Sequence, residues 1–455
     1  MRWRLKWVGV ALAVLTLLPP RLAAQRGAFS QETNPLTLEE AVSLALGSHP
    51  VVGRARAHRT GAEARLDQAR ASWLPSLTTE GSLARFQEPM VVAPLHGFDP
   101  TRPPSFDRNL VQGNLSLGYT LFDGGARGAR VDRAEAGVAA AAVGEELSRM
   151  DLTLQVSRAY LAVLAGEELV EAAEAQIEAL ESEEDRARQF LEEGKAARVD
   201  RLRVQAALSR ARADAISVRS DLDLAWGRLA RLTGASRRGL RERSLIPVGL
   251  GDHPVPSRGR TLETARSNSP DLALARRELA AAAAEVREAG STWLPSVRAG
   301  GRYQNYGTLD GGHTQEWQAT LSVAYPIFTG GARGAEQQGA RAEEREAAQG
   351  VRLAELEVEE KVEDGLAALE EARARREALE LGVTQSREVA RIEALALEAG
   401  AGVQTDFLKA QADLFRARAA LVQARHGEIL ARLQLARVMG ELTQEWIEEH
   451  VEVKR

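Results

Sequence analysis

The stretch Leu121-Phe122-Asp123-Gly124-Gly125-Ala126-Arg127-Gly128-Ala129 returns as Ile327-Phe328-Thr329-Gly330-Gly331-Ala332-Arg333-Gly334-Ala335, 206 positions later. The same offset holds without a gap to Gly234 and Gly440. It carries Leu191/Leu397, Gly194/Gly400, Asp200/Asp406, Leu202/Leu408, Gln205/Gln411 and Leu208/Leu414 into register. Upstream, Trp73-Leu74-Pro75-Ser76 pairs with Trp293-Leu294-Pro295-Ser296 at an offset of 220, so only the stretch between these motifs changes length, by 14 residues. A long unit is duplicated. Repeats of this kind bury their surfaces by stacking on one another, and two in tandem point to a wall or ring.

Each unit reads helix, strand, strand, long helix, helix. The first helix is expected from about Leu38 to Trp73, and its counterpart from about Leu262 to Trp293, four residues shorter. Trp-Leu-Pro ends both, because proline disfavours helix at the residue before it. The period then changes to two. Trp317, Ala319, Leu321, Val323, Tyr325 and Ile327 alternate with Gln318, Thr320, Ser322, Ala324 and Pro326, while Leu115, Leu117, Tyr119 and Leu121 alternate with Asn114, Ser116, Gly118 and Thr120. These are strands with one apolar face. Weaker alternation marks preceding strands near Ser76–Phe86 and Ser296–Tyr306. The connections between the paired strands are Glu88 to Asp107 and Gly307 to Thr314, and the extra 14 residues are expected in the first of these.

Gly124-Gly125 and Gly330-Gly331 end the strand regions and act as strand-to-helix hinges, which need the conformational freedom of glycine. No proline interrupts Ala126 to Leu191, a stretch about 100 Å long at 1.5 Å per residue. Two apolar stripes run along it. One holds Val143, Leu147, Met150, Leu154, Leu161 and Leu164, and the other Leu152, Val156, Tyr160, Val163 and Val170. Two stripes mean neighbours on both sides, as in a bundle interior or a helix set edgewise in a curved wall. Turns at Glu193-Gly194-Lys195 and Ala399-Gly400-Ala401 return the chain to Gly234 and Gly440.

The N-terminus carries Arg2, Arg4 and Lys6, an apolar run from Trp7 to Leu18, and Leu22-Ala23-Ala24. That is the pattern of a secretory signal peptide over residues 1–24. The expected organisation is therefore a signal peptide (1–24), a first repeat (25–234), a linker (235–260), a second repeat (261–440) and a charged C-terminal tail (441–455). Zero cysteines exclude disulfides and thiolate metal sites. The formal charge of −5 becomes −9 without residues 1–24, which gives no support for nucleic-acid binding.

Little here suits an enzyme. The seven histidines are scattered without ligand spacing, so neither metal nor cofactor is expected. Phe-Asp-Gly-Gly-Ala-Arg-Gly lacks the Gly-Lys-Ser/Thr of a phosphate loop. Asp200 and Asp406 stand apart, each six residues after a turn glycine. They read either as first-turn acids favoured by a helix N-terminus or, if the helices form a tube, as rings of charge around its axis.

The paired Trp-Leu-Pro-Ser corners, Leu/Ile-Phe-x-Gly-Gly junctions and Gly-x5-Asp-x-Leu turns resemble the outer-membrane efflux protein (TolC) family, from about Leu36 to Gly440. The resemblance implies a mainly α fold with a small β part. A long antiparallel α-helical coiled-coil barrel would be joined to a four-strand contribution to a trimeric transmembrane β-barrel, built from two tandem repeats. It implies an exit duct in the cell outer membrane with a long periplasmic portion, serving a tripartite efflux or type I secretion system. The partners implied are two further copies of the chain, outer-membrane lipid, a periplasmic adaptor protein and an inner-membrane pump. It also implies a pore gate at Asp406, near the tip turn at Gly400, and the repeat adds Asp200, near the tip turn at Gly194, as its paired candidate. Where some relatives carry a second acid three residues on, this chain has Lys409. Independently, four strands cannot close a membrane barrel, for which eight is about the minimum, and open edges in lipid leave backbone groups unpaired. The competing reading is a secreted, soluble coiled-coil scaffold, which explains the helices but not the four alternating strands.

Overall fold

The computed structural model describes residues 35–453 apart from 97–99, 102 and 251–253. The expected signal peptide lies outside the described residues. The chain opens with α1 (Leu38–Ser48), capped by Thr37, whose hydroxyl oxygen accepts from the Glu40 N–H at 3.1 Å. His49 is extended (ψ 131°) before Pro50, and α2 (Pro50–Ala71) starts afresh. The single helix expected here is thus two. The same break separates α6 (Arg258–Asn268) from α7 (Pro270–Ser291) in the second unit. Proline explains both breaks as it explains the Trp-Leu-Pro corners. The expected four-residue difference between the units is also absent. At the 220-residue offset Ser257, not Thr261, matches Thr37, and the paired helices have equal lengths of 11 and 22 residues.

After the corners come β1 (Ser76–Val91) and β2 (Phe106–Phe122), then β4 (Ser296–Gly307) and β5 (His313–Ala324). The connection in the first hairpin is 92–105 against 308–312 in the second. It takes up only part of the 14 extra residues; the rest lengthens the strands, 16 and 17 residues against 12 and 12, with a register shift between Arg85 and Met90. All four strands form one antiparallel sheet in the order β1-β2-β4-β5. The register of the first hairpin, Ser76↔Gly118 to Arg85↔Asn109, becomes that of the second, Ser296↔Ala324 to Asn305↔Gln315, when the two sequence offsets are applied.

From the sheet, α3 (Ala126–Glu192) and α8 (Ala332–Glu398) each run 67 residues, about 100 Å. They return as α4 (Arg198–Thr233) and α9 (Gln404–Met439), each 36 residues. The return helices stop about halfway along their partners. There the short pieces gather: α1, α6, α5 (Arg237–Arg241), β3 (Val248–Leu250), α10 (Gln444–His450) and β6 (Val451–Val453). Their side chains complete the main core, in which Leu36, Val42, Val156, Tyr160, Leu229, Leu433 and Leu442 are fully or almost fully buried. A second core joins α6 and α7 to Val358, Val362, Leu369 and Leu435.

The expected charged tail and linker are folded together. Thr443 caps α10 by accepting from the Trp446 N–H at 3.2 Å, Trp446 and Ile447 are buried, and β6 pairs antiparallel with β3 of the linker. Three apolar side chains among acids are enough to seat the segment, although the composition reads as solvated.

Candidate functional site

Pleating sorts the sheet into two faces. On one, Leu77, Leu83, Leu115, Leu117, Tyr119, Tyr303, Trp317, Leu321 and Val323 are exposed, Trp317 by 76% and Leu321 by 70%. On the other lie Glu80, Ser82, Gln112, Asn114, Ser116, Arg302, Gln304, Glu316, Gln318 and Thr320, where Glu80 accepts from the Asn114 amide at 3.1 Å. A contiguous apolar face of this size is not left bare to water. Apolar outside and polar inside is the pattern of a barrel wall in lipid around an aqueous lumen. From Val111 to Leu121 the apolar band runs about 34 Å along the strand, or about 25 Å in height at the usual tilt. Among the described residues no helix is long and apolar enough to cross a membrane. Among the described residues, the outer strands β1 and β5 each have one edge without a partner strand.

At the foot of the sheet the two duplicated motifs meet. Gly124 and Gly125 (φ 68° and 93°), and Gly330 and Gly331 (φ 61° and 87°), turn each strand into its long helix. The next arginine stacks on the corner tryptophan: the Arg127 guanidinium lies 4.3 Å from the Trp73 ring centroid, and that of Arg333 lies 4.6 Å from Trp293. Both arginines are buried. Arg127 donates through Nε and its backbone N–H to Asp123 Oδ2, each at 3.0 Å. Arg333 has Thr329 at the matching position and donates instead to the carbonyls of Thr292 and Ile327, at 3.3 and 3.4 Å. The sequence motifs alone do not reveal these joints. Their signal was the arginine inside the repeated motif, which only the packing links to the tryptophan.

The tips close in the left-handed conformation at Gly194 and Gly400 (φ 72° and 71°). The Lys195 N–H donates to the Phe190 carbonyl at 2.8 Å and that of Ala401 to Ala396 at 2.9 Å. Asp200 and Asp406 are the third residues of α4 and α9, whose cap positions are Ala197 and Val403, and neither cap makes a side-chain hydrogen bond. The acids lie in the first turn, where the helix N-terminus favours negative charge. They differ in company. Arg203 donates to Asp200 at 3.1 Å, whereas Asp406 is exposed and forms no ion pair among the described residues, and Lys409, which matches Arg203, is also exposed. No hydrogen bond joins the two acids, although Leu408 of α9 packs on Leu180, Leu208 and Ala211 of the first hairpin.

The hairpins are also tied differently. Glu184 accepts from Gln205 at 2.9 Å and from Arg201 at 3.0 Å, and those hydrogen bonds hold its carboxyl below the usual carboxylate range. The matching positions of the second hairpin are Ala390, Phe407 and Gln411, with Phe407 and Ala390 buried. At the core level, the buried Tyr160 hydroxyl donates toward the carbonyls of Leu36 and Ile246, both at 2.8 Å, and accepts from the Ile246 N–H at 3.0 Å. Burial pushes its pKa well up. Arg243 adds a two-pronged pair with Glu40, at 2.6 and 2.8 Å.

A barrel-forming sheet whose strands continue into paired long helices defines a channel subunit. The family model for outer membrane efflux proteins matches residues 41–235 and 261–441. The chain is 27% identical over 410 residues to protein CyaE of Bordetella pertussis, covering 88% of this chain and 81% of CyaE. It is 26% identical over 351 residues to the alkaline protease secretion protein AprF of Pseudomonas aeruginosa, covering 72% and 69%. Among solved structures it is similar to the outer membrane protein VceC of Vibrio cholerae (TM-score 0.76, 19% identity, 89% and 96% of the two chains). It is likewise similar to the CmeC outer membrane channel of Campylobacter jejuni (TM-score 0.78, 17% identity, 90% and 88%). The chain belongs to the outer membrane efflux protein family and is an outer-membrane export channel with a large periplasmic helical portion. The family is one of channel proteins, not enzymes.

Proposed function

We propose that three copies of the chain close into one twelve-stranded barrel continued by a helical tube, acting as the passive exit duct of a tripartite efflux or type I secretion machine. A periplasmic adaptor meets the tip turns Glu193–Arg198 and Ala399–Gln404, and an inner-membrane pump supplies the energy. The observation that carries this reading is the amphipathic four-stranded sheet with an unpaired edge on either side. In lipid such edges cost several kcal/mol per unsatisfied group, roughly, so further copies must cover them. The adaptor contact rests on geometry: each tip ends a helix about 100 Å long that begins at the sheet.

Asp406, and to a lesser degree Asp200, line the closed end of the duct. Their support is their place at the tips and, for Asp406, the lack of an ion-pair partner among the described residues. Native mass spectrometry of detergent-extracted protein tests the assembly, and a stable monomer retaining its sheet would defeat it. Cysteines introduced at Ala197 and Val403 test the orientation in a chain without native cysteine. Labelling of those sites by cell-surface reagents, instead of crosslinking to periplasmic partners, would reverse it.

A further inference from the structure

Arg298 and Arg302 stand four residues apart on β4, about 13 Å at the usual rise, and share the polar face of the sheet. Arg302 lies between Ser116 of β2 and Gln318 of β5, and Arg298 between Thr120 and Ser322. Both arginines are exposed, and neither forms an ion pair or a side-chain hydrogen bond among the described residues. The acids next along this face, Glu80 and Glu316, lie in the row beyond Arg302, away from the helices. Each has a partner of its own: Glu80 accepts from the Asn114 amide at 3.1 Å, and Glu316 lies 2.6 Å from His96 Nε2.

The ground between the two arginines is open. Gly300 lies midway between them on β4, with Gly118 opposite on β2, so no side chain rises there. Hydroxyls lean over both glycines: a Cβ on Gly300 would meet Thr320 Oγ1 at 2.8 Å, and one on Gly118 would meet Ser76 Oγ at 3.0 Å. Those hydroxyls donate to the carbonyls of the same two glycines, at 3.4 and 3.3 Å. The result is a shallow seat with a glycine floor, hydroxyl edges and a guanidinium on either side. Pairing of the strands does not require the arginines. The matched positions of the first repeat, 220 residues earlier, are Thr78 and Ser82, and the hairpin there has the same register.

We propose that Arg298 and Arg302 form an anion-binding belt in the barrel lumen, and that the cargo of the duct carries oxyanions, as carboxylate or phosphate. The belt rests on the exit-duct reading, because only a closed barrel turns this face into a lumen. Twelve strands about 4.8 Å apart and tilted by about 40° enclose a wall of radius about 12 Å. Guanidiniums reaching inward from that wall stand within roughly one Debye length, about 8 Å at physiological salt, of a solute on the axis. Two per copy make six in three copies, and no acid occupies their rows of the sheet. The planar fork of arginine matches carboxylate and phosphate through paired hydrogen bonds. Two forks on one seat favour a multivalent oxyanion over a simple halide.

The belt lies at the opposite end of the duct from Asp406, with the length of α8, about 100 Å, between them. The acid at the tip and the arginines in the barrel therefore act on different stages of passage. An oxyanion leaving the helical tube meets Arg298 first, then Arg302, and then the row of Glu80 and Glu316. Conduction needs a site that is entered readily and also left readily. The arginines supply the first condition, and the acids just beyond them weaken the hold on an anion and supply the second.

Calorimetric titration of the full-length protein in nonionic detergent at low salt, with inorganic pyrophosphate and in parallel with citrate, tests the belt. The unmutated trimer should bind these anions, and R298Q/R302Q should bind them at least tenfold more weakly while native mass spectrometry finds the same assembly. Tighter pyrophosphate then names phosphate as the cargo group, and tighter citrate names carboxylate. Equal binding by the two proteins overturns the belt. So does a lack of binding of either anion by an unmutated trimer, and the exit-duct reading then stands. An unmutated protein that is a stable monomer retaining its sheet removes the exit duct and the belt together. Planar-bilayer conductance gives a second readout, on the Asp406→Asn background that lacks the tip acid. There R298E/R302E should move the reversal potential in a KCl gradient toward cation selectivity, and an unmoved potential overturns the belt.

Discussion

The matched joints at Arg127 and Arg333 invite one comparison inside a single molecule. In Arg127→Met, Asp123 loses the guanidinium 3.0 Å away and keeps the Arg127 backbone N–H, with Arg130 Nη2 at 3.7 Å. The pair is deeply placed, with side-chain exposures of 4% and 16%, so breaking it costs about 3–5 kcal/mol by the usual penalty for stranding a buried charge. Loss of the cation over Trp73 adds about 0.5–2 kcal/mol. Arg333→Met removes a buried cation that has no carboxylate partner among the described residues, two long hydrogen bonds to carbonyls and a similar ring contact. The desolvation regained offsets those losses, and the net change should lie within about 1 kcal/mol of zero. Heat inactivation in detergent is governed by an unfolding rate, and each 1.4 kcal/mol is roughly tenfold in that rate when the contact is absent from the transition state. Inactivation half-lives should therefore fall by roughly two and a half to five decades for Arg127→Met and by less than about tenfold for Arg333→Met. Equal effects at the two joints, or a silent Arg127→Met, would refute the role given to Asp123.

Asp406→Asn should lower cation selectivity and divalent block in planar-bilayer conductance while changing stability by no more than about 1 kcal/mol, the value of a first-turn acid; unchanged selectivity removes Asp406 from the gate. Asp200→Asn should have a smaller effect on conductance, because Arg203 already faces that acid. Tyr160→Phe leaves the Ile246 carbonyl short of a donor, while the Leu36 carbonyl keeps the Ile246 N–H at 3.1 Å, and should cost about 1–3 kcal/mol, freeing the N-terminal segment for proteolysis near Leu36. Glu184 has a folded pKa below its unfolded value. The stability it contributes is present above the ordinary carboxylate range and is lost as pH falls through the depressed folded value. Amide protection at the start of α4, taken relative to the intrinsic exchange rate at each pH, should fall on acidification in the native chain and show no such step in Glu184→Gln, while the start of α9, tied by Phe407 and Ala390, should not respond.

The hinges, corners and tips were legible because each is a backbone requirement with a residue signature: glycine at positive φ, proline after a helix end, alternation in a strand. The break at His49-Pro50 was equally legible by the proline rule applied at Pro75, but the helical composition on both sides of it hid the boundary. Residues 441–453 read as solvated because acids outnumber Trp446, Ile447 and Val451, and a chain pattern does not reveal that β3 offers them an edge. The Arg–Trp joints lie in side-chain contacts between motifs some fifty residues apart or fewer, where residue spacing carries no distance. The difference between Asp200 and Asp406 was partly visible, since Lys409 is plain in the sequence. That Arg203 turns onto its acid and Lys409 does not required coordinates.

Across the two repeats, lengths agree while charges do not. The paired helices have 11, 22, 67 and 36 residues in both units, yet Arg133 and Glu285 face each other where the matched positions hold Gly339 and Arg65. A helical wall accounts for both facts. One residue added to α8 alone would turn everything beyond it by about 100° and shift its tip by about 1.5 Å, exposing one stripe and burying another against both neighbours. Such a change is felt by every contact along the helix at once. A charge is felt by its partner alone, so one position can lose its charge and the facing one change sign without disturbing the rest of the wall. Length is therefore held by the geometry of the whole wall and charge only by the local pair. The hairpin sheet obeys the same division: its register passes unchanged between units, while the loop joining β1 to β2 differs in length from its counterpart.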